Sequence, residues 1–193
     1  MWPIVRIYYT ITVRDIKGKI IKRMRRRSRS FLIQFLEIMY IHHAQVGSID
    51  VTPISGGTDV WGNTAVPMAN CAAGETEAGI LVGTGTTAKS NTDYALATQI
   101  AHGTGSGQLS YGSQAFTQPA VVGANVDYVL TRTFQNGSGA SITVNEIGFA
   151  VGEATAAPTT TTGRLIIRDV LAAGVAVGNG QTLTVEYTIR TTV

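Results

Sequence analysis

The chain has 193 residues, 14% of them charged and 44% hydrophobic, with 22 glycines, one cysteine and a net charge of +3. This balance excludes a disordered polyelectrolyte, a lone Cys71 excludes a disulfide scaffold, and the lack of any long apolar run excludes a membrane-spanning helix. The small net charge conceals an uneven distribution. Residues 1–45 carry ten of the fifteen basic residues against Asp15 and Glu37, a net of +8, and residues 46–193 carry five basic and ten acidic ones, a net of −5.

In chain order, Val5, Ile7, Tyr9, Ile11 and Val13 alternate with Arg6, Tyr8, Thr10, Thr12 and Arg14, which predicts a strand over residues 4–14. Arg6 breaks the apolar run that a signal peptide needs, so none is expected. Asp15-Ile16-Lys17-Gly18 is a turn sequence, and a second strand over 19–27 completes a hairpin. Ser28-Arg29-Ser30 offers a helix N-cap. Residues 31–45 predict a helix of about four turns with little polar face beyond Gln34 and Glu37. A helix so apolar requires cover on several sides, either from its own sandwich or from neighbouring subunits, and the second is expected.

Residues 46–57 read as a short strand or loop, and 55–76 as a Gly/Asn/Thr/Ala-rich stretch with Trp61 as an isolated anchor. Residues 78–82 form a short apolar strand. Asn91-Thr92-Asp93 predicts the cap of a short helix through Ile100, and 103–107 a turn. A strand is expected over 108–118 with a connection at 119–122. Residues 126–135 alternate, with Val126, Tyr128, Leu130 and Phe134 on one face. Asn136-Gly137-Ser138-Gly139 predicts a hairpin turn into a strand over 141–151. A small-residue loop at 154–163, strands over 164–171 and 174–177, a Gly178-Asn179-Gly180 turn and a strand over 182–192 follow. The expected fold is mainly β: an antiparallel β-sandwich (jelly-roll or Ig-like) with an N-terminal β-hairpin and one apolar α-helix. Two units are expected: a basic assembly arm over 1–45 and a sandwich domain over 46–193. Deleting the arm should then leave a soluble monomer.

Site chemistry is sparse. Gly83-Thr84-Gly85-Thr86-Thr87-Ala88-Lys89-Ser90 nearly matches a phosphate loop, but Ala88 stands where glycine is needed and no parallel α/β pattern surrounds it. The same residues mimic a dinucleotide fingerprint and fail for the same reason. His42 and His43 are adjacent, and His102 and Cys71 lack ligand spacing. Glu75 with Glu77, or Glu146 with Asp127, are the available carboxylate pairs. No enzyme activity, catalytic residue, metal or cofactor is expected. The densest charge feature is basic: Lys22, Arg23, Arg25, Arg26, Arg27 and Arg29 are the expected electrostatic docking residues, with no aromatic inside the run for base stacking. Docking on the acidic part of another copy is favoured over nucleic acid. Phe31, Leu32, Phe35, Leu36 and Met39 are the expected assembly interface.

Several segments resemble structural proteins of tailed bacteriophages and prophages. They are Val82-Gly83-Thr84-Gly85-Thr86-Thr87, Asp93-Tyr94-Ala95-Leu96-Ala97, Asn136-Gly137-Ser138-Gly139-Ala140-Ser141-Ile142-Thr143-Val144-Asn145-Glu146-Ile147-Gly148, Leu165-Ile166-Ile167-Arg168-Asp169 and Gly180-Gln181-Thr182-Leu183-Thr184-Val185-Glu186-Tyr187-Thr188-Ile189. In the front part the resemblance lies in Arg14-Asp15-Ile16-Lys17-Gly18-Lys19 and Ser30-Phe31-Leu32-Ile33-Gln34-Phe35-Leu36. It implies a non-enzymatic virion subunit (capsid decoration, neck or tail) made in the host cytoplasm. Its partners would be copies of itself and other virion proteins, with packaged nucleic acid a further partner of the basic arm and no membrane or small-molecule substrate. The rival expectations are a secreted or surface filament subunit or adhesin, and a nucleic-acid-associated protein.

Overall fold

The computed structural model describes residues 4–154 and 163–192; most of the predicted loop at 154–163 lies outside them. Alternation at the front gives β1 (Ile4–Arg14) and β2 (Ile20–Ser28), joined through a turn in which Gly18 has φ +80°. The Asp15 carboxylate accepts the Lys17 and Lys19 amides at 2.9 Å, so the turn closes on its own side chain. One helix, α1 (Ile33–Ala44), follows, and then β3 (Ser48–Val51), β4 (Asp59–Gly62), β5 (Val66–Met68), β6 (Gly79–Gly83) and β7 (Ser110–Tyr111). The remaining strands are β8 (Ala115–Val122), β9 (Asn125–Gln135), β10 (Ile142–Ala154), β11 (Gly163–Val177) and β12 (Thr182–Thr192).

The protein is mainly β and its paired strands are antiparallel. A first sheet runs β2-β1-β12-β9-β7, with β8 also on β9; a second has β11-β10, with β5 and β6 both on β10; β3 and β4 form a separate ribbon. The inner faces meet in one core. The first sheet gives it Ile11, Val13, Leu130, Phe134, Leu183, Val185 and Tyr187, and the second Ile80, Val82, Ile147, Leu165 and Ile167. Trp61 is fully buried, as its isolation in a small-residue stretch suggested.

Several expectations change. β1 pairs with β12 over its whole length, and Ile7, Tyr9, Ile11 and Val13 belong to the core. Residues 1–45 are therefore built into the sandwich rather than appended to it. Deleting them would strip an inner strand from the first sheet, so the truncation is expected to unfold, not to release a monomer. Asn136–Gly139 does not close a hairpin, because β9 and β10 lie in different sheets. Buried Asn136 donates to Ala140 and Val177 carbonyls at 2.8 and 2.7 Å, which makes the segment a corner between sheets.

No helix follows Asn91. The Ala97 and Thr98 amides, which a helix would bond internally, donate instead to the Glu146 carboxylate at 3.1 and 2.8 Å. Residues 119–122 are part of β8 rather than a connection, with a register shift between Thr117 and Ala120 that accommodates Pro119. The stretch 55–76 contains β4 and β5. Ser30 does not cap α1: Leu32 stands at the N-cap without a side-chain bond, and the Ser30 hydroxyl donates to Asp169 at 2.8 Å.

Candidate functional site

The interior holds three arginines that tie the loops down. Arg132 on β9 is 1% exposed and donates to the carbonyls of Gly112, Ala78, Ile80, Ala72 and Glu75 at 2.7–3.4 Å. Burial lowers its pKa. Arg168 on β11 binds Glu146 at 2.9 Å and Asp93 at 2.7 Å. Burial pulls its pKa down, but these two carboxylates outweigh that and hold it above the ordinary value. Arg164 binds Asp59 at 2.6 Å and lies over the Trp61 ring.

These bonds and others like them engage many of the side chains that the sequence offered for chemistry. Glu146 is fully buried, with its oxygens taken by Arg168 and by the Gly85, Ala97 and Thr98 amides. The Gly85 N–H that a phosphate loop would aim at its ligand is thus already bonded, and no helix follows the loop. Asp127 pairs with Arg190 on the first sheet at 2.5 Å, so Glu146 and Asp127 sit on different sheets and in separate ion pairs. Glu75 binds the Thr76 and Glu77 amides at 2.9 and 2.8 Å. Cys71 is buried with its thiol directed at the Ala78 carbonyl, and burial pushes its pKa up. His102 accepts the Tyr111 amide on Nδ1 at 3.0 Å. Among the described residues no group of three His, Cys, Asp or Glu side chains is placed to hold a metal.

The exterior carries the apolar and basic groups that the sequence singled out. On α1, Gln34, Ile38 and Ile41 face the core, while Leu36 is 62% and Tyr40 56% exposed. Of the expected assembly residues, Leu32 is buried within its own fold and Phe35 is partly buried against the core. Phe31, Leu36 and Met39 are exposed, with Phe31 stacked on Phe35 at 4.2 Å. Beside the helix lies an apolar hollow of ≈ 250 Å³ lined by Phe35, Ile38, Met39, Pro67, Val151 and Ile166 with His42 and His43. Pro67 and Val151 also border a second hollow of ≈ 410 Å³, which reaches Met68, Phe149, Phe116 and Tyr128. The two hollows make one apolar strip running from α1 across the end of the sandwich to the β8 edge. No helix among the described residues is long and apolar enough to cross a membrane.

Lys22, Arg23, Arg25, Arg26, Arg27 and Arg29 are all exposed on or just after β2, the edge strand of the first sheet. Register places Arg23, Arg25 and Arg27 on its outer face, opposite Thr12, Thr10 and Tyr8. The aromatic missing from the run itself is supplied by β1: Tyr8 lies under the Arg25 guanidinium at 4.6 Å, with the Arg190 guanidinium 5.8 Å from the same ring. Of the acidic residues after position 45, Asp59, Asp93 and Glu146 are paired with interior arginines, Asp127 is paired with Arg190 at the surface, and Asp169 is buried.

The interior arginines were not singled out from the sequence. Arg132 had a signal, since it is in phase with Tyr128, Leu130 and Phe134 and therefore points inward. Arg168 and Glu146 had none, because their meeting depends on the β10–β11 register. No family profile matches the chain, no curated protein matches it, and no solved structure matches its fold.

Proposed function

We propose that this chain is a non-enzymatic structural subunit of a virion, a capsid-decorating, neck or tail component, that assembles through the outer face of α1 and the apolar strip continuous with it. The observation that carries the reading is exposed apolar surface on and near the helix: Met39 and Phe116 line the strip, Leu36 and Tyr40 stand on the outer side of α1 and Val66 on β5, and all five are more than a third exposed. An exposed apolar surface of this extent marks an interaction site in a soluble fold. The segmental resemblance to tailed-phage structural proteins supplies the kind of particle. The engagement of the interior carboxylates in structural bonds supports the non-enzymatic part. A two-fold or ring contact that buries α1 would give the helix the cover its composition demands.

The test is the particle mass by light scattering, with wild type compared with the double substitution Leu36→Glu and Tyr40→Glu. Wild type is expected at multiples of 20.4 kDa, and the variant at 20.4 kDa with an unchanged melting temperature. A variant that assembles like wild type overturns the reading.

A further inference from the structure

We propose that the notch where β2 parts from β1 is a binding site for a phosphate group. Pairing between these strands ends at Ile7 and Ser28. Beyond Ser28 the chain crosses to the second sheet, where Phe31 bridges Ile167 and the Leu32 amide donates to Ile166 at 3.0 Å. The first residues of β1 are left without a neighbour on that side. The opening is ≈ 350 Å³, walled by Arg6, Arg27, Ser28, Arg29 and Ser30 with Val5, Ile7 and Phe31. That is roughly ten times the share of one liquid water, ample for a tetrahedral oxyanion.

The donors point to the ligand class. Arg6 Nε and Ser28 Oγ are buried with no hydrogen-bond partner, and Ser28 is only 4% exposed. A buried donor left without an acceptor is destabilising, and native folds rarely tolerate one without an occupant. Three arginines, Arg6, Arg27 and Arg29, line the notch, and among the described residues no acidic residue does. The Asp169 carboxylate takes the Ser30 hydroxyl's hydrogen at 2.8 Å, while Lys89 donates to the same oxygen at 2.8 Å. Ser30 is thus saturated, whereas Ser28 and Arg6 are not. Phosphate suits this set: its several acceptor oxygens meet the fork of arginine and a hydroxyl together.

The phosphate has two sources, a free or small-molecule phosphate and a nucleic-acid strand. Arg27 belongs both to the notch and to the outward row Arg23-Arg25-Arg27, which repeats about every 6.6 Å. Tyr8 lies beside that row as a surface for a base. A strand anchored in the notch would run along it. This inference does not depend on the assembly reading above.

The experiment titrates the full chain, in chloride buffer at low salt, with inorganic phosphate by calorimetry and with a labelled single-stranded oligonucleotide by anisotropy. Substituting Arg6→Gln together with Arg29→Gln is expected to weaken phosphate binding by about tenfold or more. Ser28→Ala is expected to weaken it several-fold while raising the melting temperature, because it removes the unpartnered hydroxyl. A purely structural serine would not give that pair of effects. If Arg6→Gln prevents folding, the exposed Arg29→Gln combined with Ser28→Ala carries the same test. A strand as the source predicts oligonucleotide affinity that also falls with Arg23→Gln and Arg25→Gln and drops steeply with salt. A free phosphate predicts that this second pair leaves binding unchanged. Absence of binding by either probe, or binding indifferent to Arg6, Ser28 and Arg29, overturns the proposal. So does polyglutamate binding as tightly as the oligonucleotide with the same sensitivity to the notch variants.

Discussion

Two sets of arginines in this protein share a side chain and little else. Arg132, Arg164 and Arg168 lie inside the sandwich, each bonded to carbonyls or carboxylates. Arg23, Arg25, Arg27 and Arg29 lie on or just after the β2 edge and are exposed, with Arg6 half-buried beside them. Within the first set the guanidinium is a fastener: its rigid fork reaches several acceptors and holds the loops of residues 71–80 and 84–98 against the strands. In the second set the same group stands at the surface, away from the fold's own carboxylates. The difference lies in the acceptors: those that fill the interior are supplied by the protein's own backbone and by Glu146, Asp93 and Asp59, which leaves few for the edge.

That contrast can be broken from either side. The largest effect is expected from Arg132→Met, which strands five carbonyls. It should cost about 3–5 kcal/mol in chemical denaturation, and a loss below 1 kcal/mol would show that the knot is not structural. Glu146→Gln should cost about 2–4 kcal/mol, because Arg168 loses its buried counter-charge and the loop amides lose an anionic acceptor. Limited proteolysis should then open residues 84–98 first. Arg23→Gln with Arg25→Gln should move stability by no more than about 0.5 kcal/mol; a large loss would place these residues with the interior set.

The smallest effect concerns pH. The hydrogen bond from Arg190 holds the Asp127 carboxyl below its ordinary range. A depressed carboxylate pKa contributes stability that is complete above the unfolded value, near pH 4, and fades as pH falls through the folded one. Asp127→Asn should flatten that part of the acid unfolding curve and leave neutral-pH stability nearly unchanged. An acid limb identical to wild type would show that the exposed pair contributes nothing.

Much of the sheet structure was legible because alternation is a local property. β1, β9 and β12 appear in the sequence within a residue of their observed ends, and the Asp15–Gly18 turn is written in its own side chains. The division of strands between sheets was not legible. Asn136-Gly137-Ser138-Gly139 has hairpin chemistry, and only the tertiary bonds of Asn136 show that it turns a corner instead. The helix expected after Asn91 failed because a distant carboxylate, Glu146, claimed its amides. For the candidate surfaces, composition identified an apolar helix and a basic run, but not which face of the helix stays bare or that Tyr8 joins the arginine row. The notch was invisible for a similar reason. Arg6 and Ser28 are far apart in sequence and meet only where strand pairing stops.

The central claim is that the bare face of α1 is covered by other copies. Hydrogen exchange measured across a dilution series tests it directly, since a helix with one bare face opens locally unless something packs on it. The account predicts that amides of residues 33–44 and 66–68 gain protection as concentration rises, while those of β9 and β12 stay equally protected throughout. Protection of residues 33–44 that does not change with concentration, in a sample whose mass remains that of one chain, would contradict it.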